Sequence, residues 1–366
     1  MINYKTGLFK WASLVLFVKC LTFFNCFGKE YPIFRLKGTD GNFYEQTSFD
    51  GKDFVSIVLY SNHCRISQSF EELIKETAEI LLADNSILIL VSPNHEKSIY
   101  PDELAYSDLG DSYNDMIIRY KERNFNFPFL YDGENQTIAN QLGASSTPHA
   151  YLFNKQRKLI YSGRIGDYSE PKNTAKSDLL ICYRKARNGT AKQSFSTKVH
   201  GTAIKGKQKV HLADEVRRRY SEEKIVVRHV KEKTLNFFLK YNTGKPYLCY
   251  LWSPNDEESR ANLLYLSEIY KIFRKRGLRI FTISVDKDER KTIDFLEKAQ
   301  MSSTNLIIPG DQVSPIAAFL PEDTTTITPL TILFNSKNVP IHNKVGMVEP
   351  QIIKRLVLDE MNKKTE

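Results

Sequence analysis

Ser61-Asn62-His63-Cys64 is the stretch of this sequence best equipped for chemistry. An apolar run, Phe54 to Leu59, precedes it, and a helical pattern from Ser67 to Leu82 follows. A cysteine between a strand and a helix enters the first helical turn, where unpaired N–H groups and the helix dipole favour the thiolate. Such a thiolate can attack a peroxide and become a sulfenic acid. His63 and Arg65 flank it with positive charge, and Ser61 supplies a hydroxyl three residues back. Thr147-Pro148-His149 opens a later apolar strand, so Cys64, His63 and His149 form a candidate acid–base cluster if the fold joins them. The competing reading makes Cys64 a small buried hydrophobe, the commoner fate of a lone cysteine. Cys182 and Cys249 sit in apolar runs and read as core, although a Cys64–Cys182 bridge stays open. There is no His-x-x-x-His, Cys-x-x-Cys or Gly-rich phosphate loop, so neither metal nor cofactor is expected.

The elements that must position these residues occur twice. Phe54 to Leu59 has its counterpart in Tyr247 to Leu251, and the first helical pattern in Glu258 to Arg274. The next strands are Ser86 to Val91 and Leu278 to Val285. Thr147-Pro148 and Thr328-Pro329 then each open a strand, followed by a polar turn and another strand. Short apolar runs alternating with helical windows predict α/β units with sheet cores. Asn188 to Val210 is polar, basic and rich in Gly, Ser and Thr, and reads as an irregular connector. A helix over Thr174 to Arg187 closes the first unit, and a charged helix over Leu212 to Lys224 leads into the second.

The composition sets the bounds. The chain has 366 residues, which suits two domains. Five cysteines exclude a disulfide scaffold. The net charge of +9 comes from basic residues interleaved with acids, with no nucleic-acid motif, so no nucleic-acid partner is expected. Lys5 and Lys10 precede an apolar stretch from Trp11 to Phe24, the layout of an export signal, with an uncleaved anchor as the alternative. Cys26 is a candidate lipidation site. Any membrane association is expected only through this N-terminus. The predicted organisation is a signal or anchor over 1–29, a first domain over 30–190, a basic connector and linking helix over 191–222, and a second domain over 223–366.

This order of strand, turn, helix and Thr-Pro strand resembles the thioredoxin fold, in which a Cys-x-x-Cys faces a cis-proline. The resemblance implies two thioredoxin-like folds in tandem, each a central mixed sheet flanked by helices. Ser61 to Glu72, Phe127-Pro128-Phe129-Leu130-Tyr131-Asp132, Thr147-Pro148-His149 and Tyr161 to Asp167 resemble landmarks of the peroxiredoxin-like thioredoxin family, the AhpC/TSA group. Gly201-Thr202-Ala203-Ile204-Lys205 is similar to that family's Gly-Cys-Ser-Ile-Lys tail. In the second unit Trp252 matches the Trp of a redoxin Trp-x-x-x-Cys more loosely.

The departures from the family decide what chemistry remains. Ser61 stands at the first cysteine position, and serine cannot form the mixed disulfide of thiol exchange. The tail cysteine is replaced by Thr202, and the second unit has Asp256 and Ser259 in place of its cysteine pair. Ser61-x-x-Cys64 also fits the [Ser/Thr]-x-x-Cys of peroxiredoxins, whose hydroxyl helps hold the peroxide, with Arg65 and Arg164 as candidate thiolate partners. Two readings follow. The first is an exported protein of thiol-redox type using Cys64 alone, with a peroxide substrate and an external thiol reductant. Export with this tandem fold suggests a bacterial periplasm or cell envelope. The second is a catalytically silent binding module. Its cis-Pro grooves, at Thr147-Pro148-His149 and at Trp252, Asp256, Ser259 and Thr328-Pro329, would hold an extended peptide or protein partner.

Overall fold

A computed structural model describes residues 30–190, 194–240, 244–320 and 327–363. The proposed signal or anchor, with Cys20 and Cys26, lies outside them. No helix among the described residues is long and apolar enough to cross a membrane.

The apolar runs form the centres of two mixed sheets. In the first, Val55–Leu59 pairs parallel with Ile87–Ser92, which pairs parallel with Phe129–Tyr131. On its other side Val55–Leu59 pairs antiparallel with His149–Phe153, and that strand pairs with Leu159–Gly163. Arg35–Gly38 and Phe43–Glu45 extend one edge, and Phe195–Ser196 the other. In the second sheet Tyr247–Trp252 occupies the same central place. It pairs parallel with Arg279–Ser284 and antiparallel with Leu330–Phe334. Thr304–Ile307 and Pro340–Val345 complete the same five-strand order, with Val227–His229 added at one edge. The Thr147–Pro148 and Thr328–Pro329 peptides are both cis, each just before the corresponding antiparallel strand. The expected α/β architecture is therefore present, with helices flanking each mixed sheet.

Both faces of the first sheet are covered, which explains why its strands read as unbroken apolar runs. Val58, Leu90 and Leu152 pack with Phe70, Ile74 and Leu180 of the helical side. Ile57, Leu59 and Ile89 alternate to the opposite core. The expected helix over Ser67 to Leu82 is two helices, Arg65–Ser69 and Glu71–Ala83, broken at the fully buried Phe70. Burying that ring contributes about 2–3 kcal/mol, enough to fix a bend in the chain.

The expected irregular connector differs most from its sequence reading. Phe195–Ser196 pairs with Leu159–Gly163, and Thr202–Ala203 pairs antiparallel with Ser146–Thr147. Two-residue strands are too short to show an alternating pattern, so composition alone reads as loop. The following helix is Val210–Ser221 rather than Leu212 to Lys224.

Candidate functional site

Cys64 caps helix Arg65–Ser69, its sulfur accepting the Ser67 N–H at 3.5 Å. The residue is 0% exposed. As a thiol it donates to the Thr147 carbonyl, 3.2 Å away, which belongs to the cis-Pro segment. The short antiparallel pairing of Thr202 with Thr147 brings the Thr202 hydroxyl and N–H to the sulfur. The Ser67 hydroxyl is buried with no other hydrogen bond and is free to turn to the thiolate. Burial works against ionisation of Cys64. These donors outweigh it, and the thiol is held below its ordinary range. Cys182 and Cys249 go the other way, each pushed up by burial. All three are free cysteines, so the Cys64–Cys182 bridge is not formed.

The neighbours of Cys64 in sequence turn toward a buried acid that sequence reading missed. Ser61 Oγ donates to Asp111 Oδ2 at 2.7 Å, and His63 Nδ1 lies 2.8 Å from the same oxygen. The His63 N–H reaches Asp111 Oδ1 at 3.2 Å. Asn94 Nδ2 donates to Asp111 at 2.7 Å and to Ser61 at 3.1 Å. Burial opposes charge on Asp111, but His63, Ser61 and Asn94 hold its carboxyl below the usual range. Burial likewise opposes charge on His63, and Asp111 overcomes it, so the imidazole titrates higher than usual. His63 Nε2 is buried without a hydrogen-bond partner. The Ser61 hydroxyl expected to hold a peroxide is thus engaged by Asp111. Asp111 lies in a polar loop some fifty residues downstream, with no spacing motif to mark it.

The remaining expected residues separate into two groups. Of the cis-Pro segment, Thr147 meets Cys64 through its carbonyl oxygen. His149 does not join His63: its ring bonds Ser162 at 3.0 Å and Tyr151 at 3.0 Å. Among the described residues no group of three or more His, Cys, Asp or Glu could hold a metal ion. Arg164 pairs with Asp178 at 2.5 Å, and Arg65 is exposed. In the second unit Asp256 caps helix Glu257–Phe273, accepting from the Glu258 and Ser259 N–H groups and, at 2.6 Å, from the Ser259 hydroxyl. Trp252 is fully buried, and the cis Thr328-Pro329 peptide leads into the next strand.

The cover over Cys64 is a strap formed by residues 200–205. His200 and Tyr168 exchange two hydrogen bonds, and Ile204 N–H donates to the Ser145 carbonyl at 2.9 Å. Lys205 N–H bonds Asn94, and the Lys205 ammonium sits over the Tyr100 ring and pairs with Glu103. Gly201 runs so close to Thr147 that a Cβ there would lie 1.8 Å from its carbonyl oxygen. Gly201 to Lys205 thus lies against the cysteine, with Thr202 beside the sulfur.

No protein-family model matches the chain, and no curated protein does. Solved structures similar to it include a hypothetical protein of Sinorhizobium meliloti, 21% identical over 49% of this chain and 93% of that one, with TM-score 0.43. A second is an uncharacterized conserved protein of Geobacillus kaustophilus, 24% identical over 49% of this chain and 92% of that one, with TM-score 0.42. A third is the exposed lipoprotein thioredoxin of Streptococcus pneumoniae, 20% identical over 42% of this chain and 98% of that one, with TM-score 0.32. The fold itself rests on the strand order, strand directions and cis-proline positions described above, and it is thioredoxin-like.

Proposed function

We propose that this is a thiol-redox protein whose chemistry is carried by Cys64 alone. One observation supports the reading: the sulfur is wholly buried yet ringed by donors that favour its thiolate. A cysteine serving only as a small hydrophobe has no use for them, and Cys249 shows that state, buried with its thiol pushed up. In the proposed reaction the Cys64 thiolate attacks one oxygen of a peroxide. The O–O bond breaks, an alcohol or water leaves with a proton, and Cys64 becomes a sulfenic acid. An external thiol then condenses with the sulfenic acid, releasing water, and a second thiol reduces the mixed disulfide. His63, held by Asp111 and with a buried unbonded Nε2, is the neighbouring charge that favours the thiolate. Access requires the strap to lift. Export through residues 1–29, into a bacterial periplasm or envelope, belongs to this proposal.

The second reading, a silent groove that binds an extended peptide or protein partner, is favoured for the second unit. There the Asp256–Ser259 pair satisfies the helix start in place of a thiol. In the first unit the edge beside Pro148 is already occupied by Thr202–Ala203. The test is to expose the protein to hydrogen peroxide and trap sulfenic acid with a dimedone-type probe. An adduct at Cys64, absent in Cys64→Ser, is expected. No adduct with the strap opened would sink the catalytic reading.

A further inference from the structure

The loop that supplies Asp111 also reaches the second unit. Turn Pro101–Tyr106 packs on helix Glu257–Phe273, and Ala105 is buried in the second unit's hydrophobic core. Arg276 Nη1 donates to the Ala105 carbonyl at 2.5 Å, and its guanidinium lies 4.7 Å from the Tyr106 ring centre. Two residues further on, Asp108 is gripped from both sides. Arg119 of the first unit reaches its carboxylate at 2.7 Å, and Arg355 of the second at 3.0 Å. Gln351 donates to the Asp108 carbonyl at 2.9 Å, and Arg355 also pairs with Glu122. Only Leu109 and Gly110 separate Asp108 from Asp111. Leu109 is fully buried, and the Gly110 carbonyl accepts from Asn62 at 2.8 Å. A shift at Asp108 therefore has no slack in which to be absorbed before it reaches Asp111.

We infer that the second unit is a positioning element for the Cys64 site: Arg355, Gln351 and Arg276 hold residues 105–108 so that Asp111 stays on His63 and Ser61. This inference rests on the reading of Cys64 as the reactive group, and it gives a thiol-free unit a role in that chemistry. Arg355, Gln351 and Arg276 are positioning residues, since none of them touches the sulfur. Sites coupled through a contiguous packed network change by about 0.5–2 kcal/mol when one link is removed, or roughly two- to thirtyfold in a rate.

The experiment uses the full chain and two readouts: the His63 imidazole titration by NMR and the rate of Cys64 sulfenic-acid trapping at neutral pH. His63 faces Asp111, Cys64 and Glu103, so the reference variant is Asp111→Asn. Arg355→Ala, Gln351→Ala and Arg276→Ala are expected to lower the His63 midpoint, as Asp111→Asn does, and to slow trapping by about two- to thirtyfold. Arg355→Lys is expected to restore part of both. A merely structural contact would lower the melting temperature and leave the His63 midpoint alone. If Arg355→Ala does not fold, Gln351→Ala, which deletes one neutral hydrogen bond, carries the test. An unchanged His63 midpoint in folded clamp variants would overturn the inference. If Asp111→Asn and the clamp variants all move His63 but trapping at Cys64 is absent throughout, the positioning stands and the reading of Cys64 falls.

Discussion

Gly201→Ala is the perturbation that most sharply separates a covering strap from a passive loop. The added methyl would lie 1.8 Å from the Thr147 carbonyl oxygen and 2.6 Å from its carbon, both backbone atoms. Neither can rotate away, so the strap must move off the cis-Pro segment. Over Cys64 the closed strap is held by the paired His200–Tyr168 bonds, the Ile204–Ser145 bond and the Thr202–Thr147 pairing, while Lys205 anchors its far end to Asn94 and Glu103. Four such bonds at about 1 kcal/mol net each favour closure by about 4 kcal/mol, a ratio of roughly a thousand to one. A thiol reached only through opening should react about a thousandfold slower than an exposed one at the same pH. Gly201→Ala should recover a large part of that, at least about tenfold. The assay is the rate of Cys64 alkylation, with Cys64→Ser subtracted and far-UV circular dichroism as the check on folding. A folded Gly201→Ala protein that alkylates at the unsubstituted rate would refute the strap as the cover.

Three other outcomes follow from particular contacts. Thr202→Cys should form a disulfide with Cys64 on mild oxidation, seen as a loss of two thiols in a quantitative thiol assay; persistence of both thiols would contradict their apposition. Asp132, buried and pushed up to about 6, accepts the Ile138 and Ala139 N–H groups at 3.0 Å. Its folded value lies above the usual 3.8, so the folded state binds the proton more tightly and stability falls as pH rises from about 4 to about 6. That loss amounts to about 3 kcal/mol. In urea unfolding Asp132→Asn should therefore gain on the unsubstituted protein over this window, and a difference independent of pH would count against it. Asp256→Ala should cost about 1 kcal/mol, the usual price of a lost helix cap, while leaving Cys64 trapping unchanged. A large drop in trapping would tie Asp256 to the chemistry.

The parts legible from sequence were those with local periodicity or a family landmark. The central strands, the repeat of their order and both Thr-Pro positions could be read because buried runs and the residues opening them are contiguous. Cys64 at the helix start and the tail motif at Thr202 were equally visible. Asp111 and Asn94 were not, because their role comes from loops folded back over the cysteine from distant positions. The strap was read as connector because its backbone pairs over only two residues, too few to show a periodic pattern. A cluster of His149 with His63 was open in the sequence because one precedes Cys64 and the other follows the cis-Pro. Both ring nitrogens of His149 instead bond Ser162 and Tyr151. The grip of Arg355 on Asp108 spans nearly 250 residues and leaves no trace in spacing.

The central claim is that Cys64 is a reactive thiolate rather than core filling. Its most direct test is the ultraviolet thiolate absorbance of the protein against pH, with Cys64→Ser subtracted. The donors from Thr202 and Ser67 predict a titration below the ordinary thiol range, moving up in Thr202→Val. A thiol that titrates at or above the ordinary value, unmoved by Thr202→Val, would contradict the account.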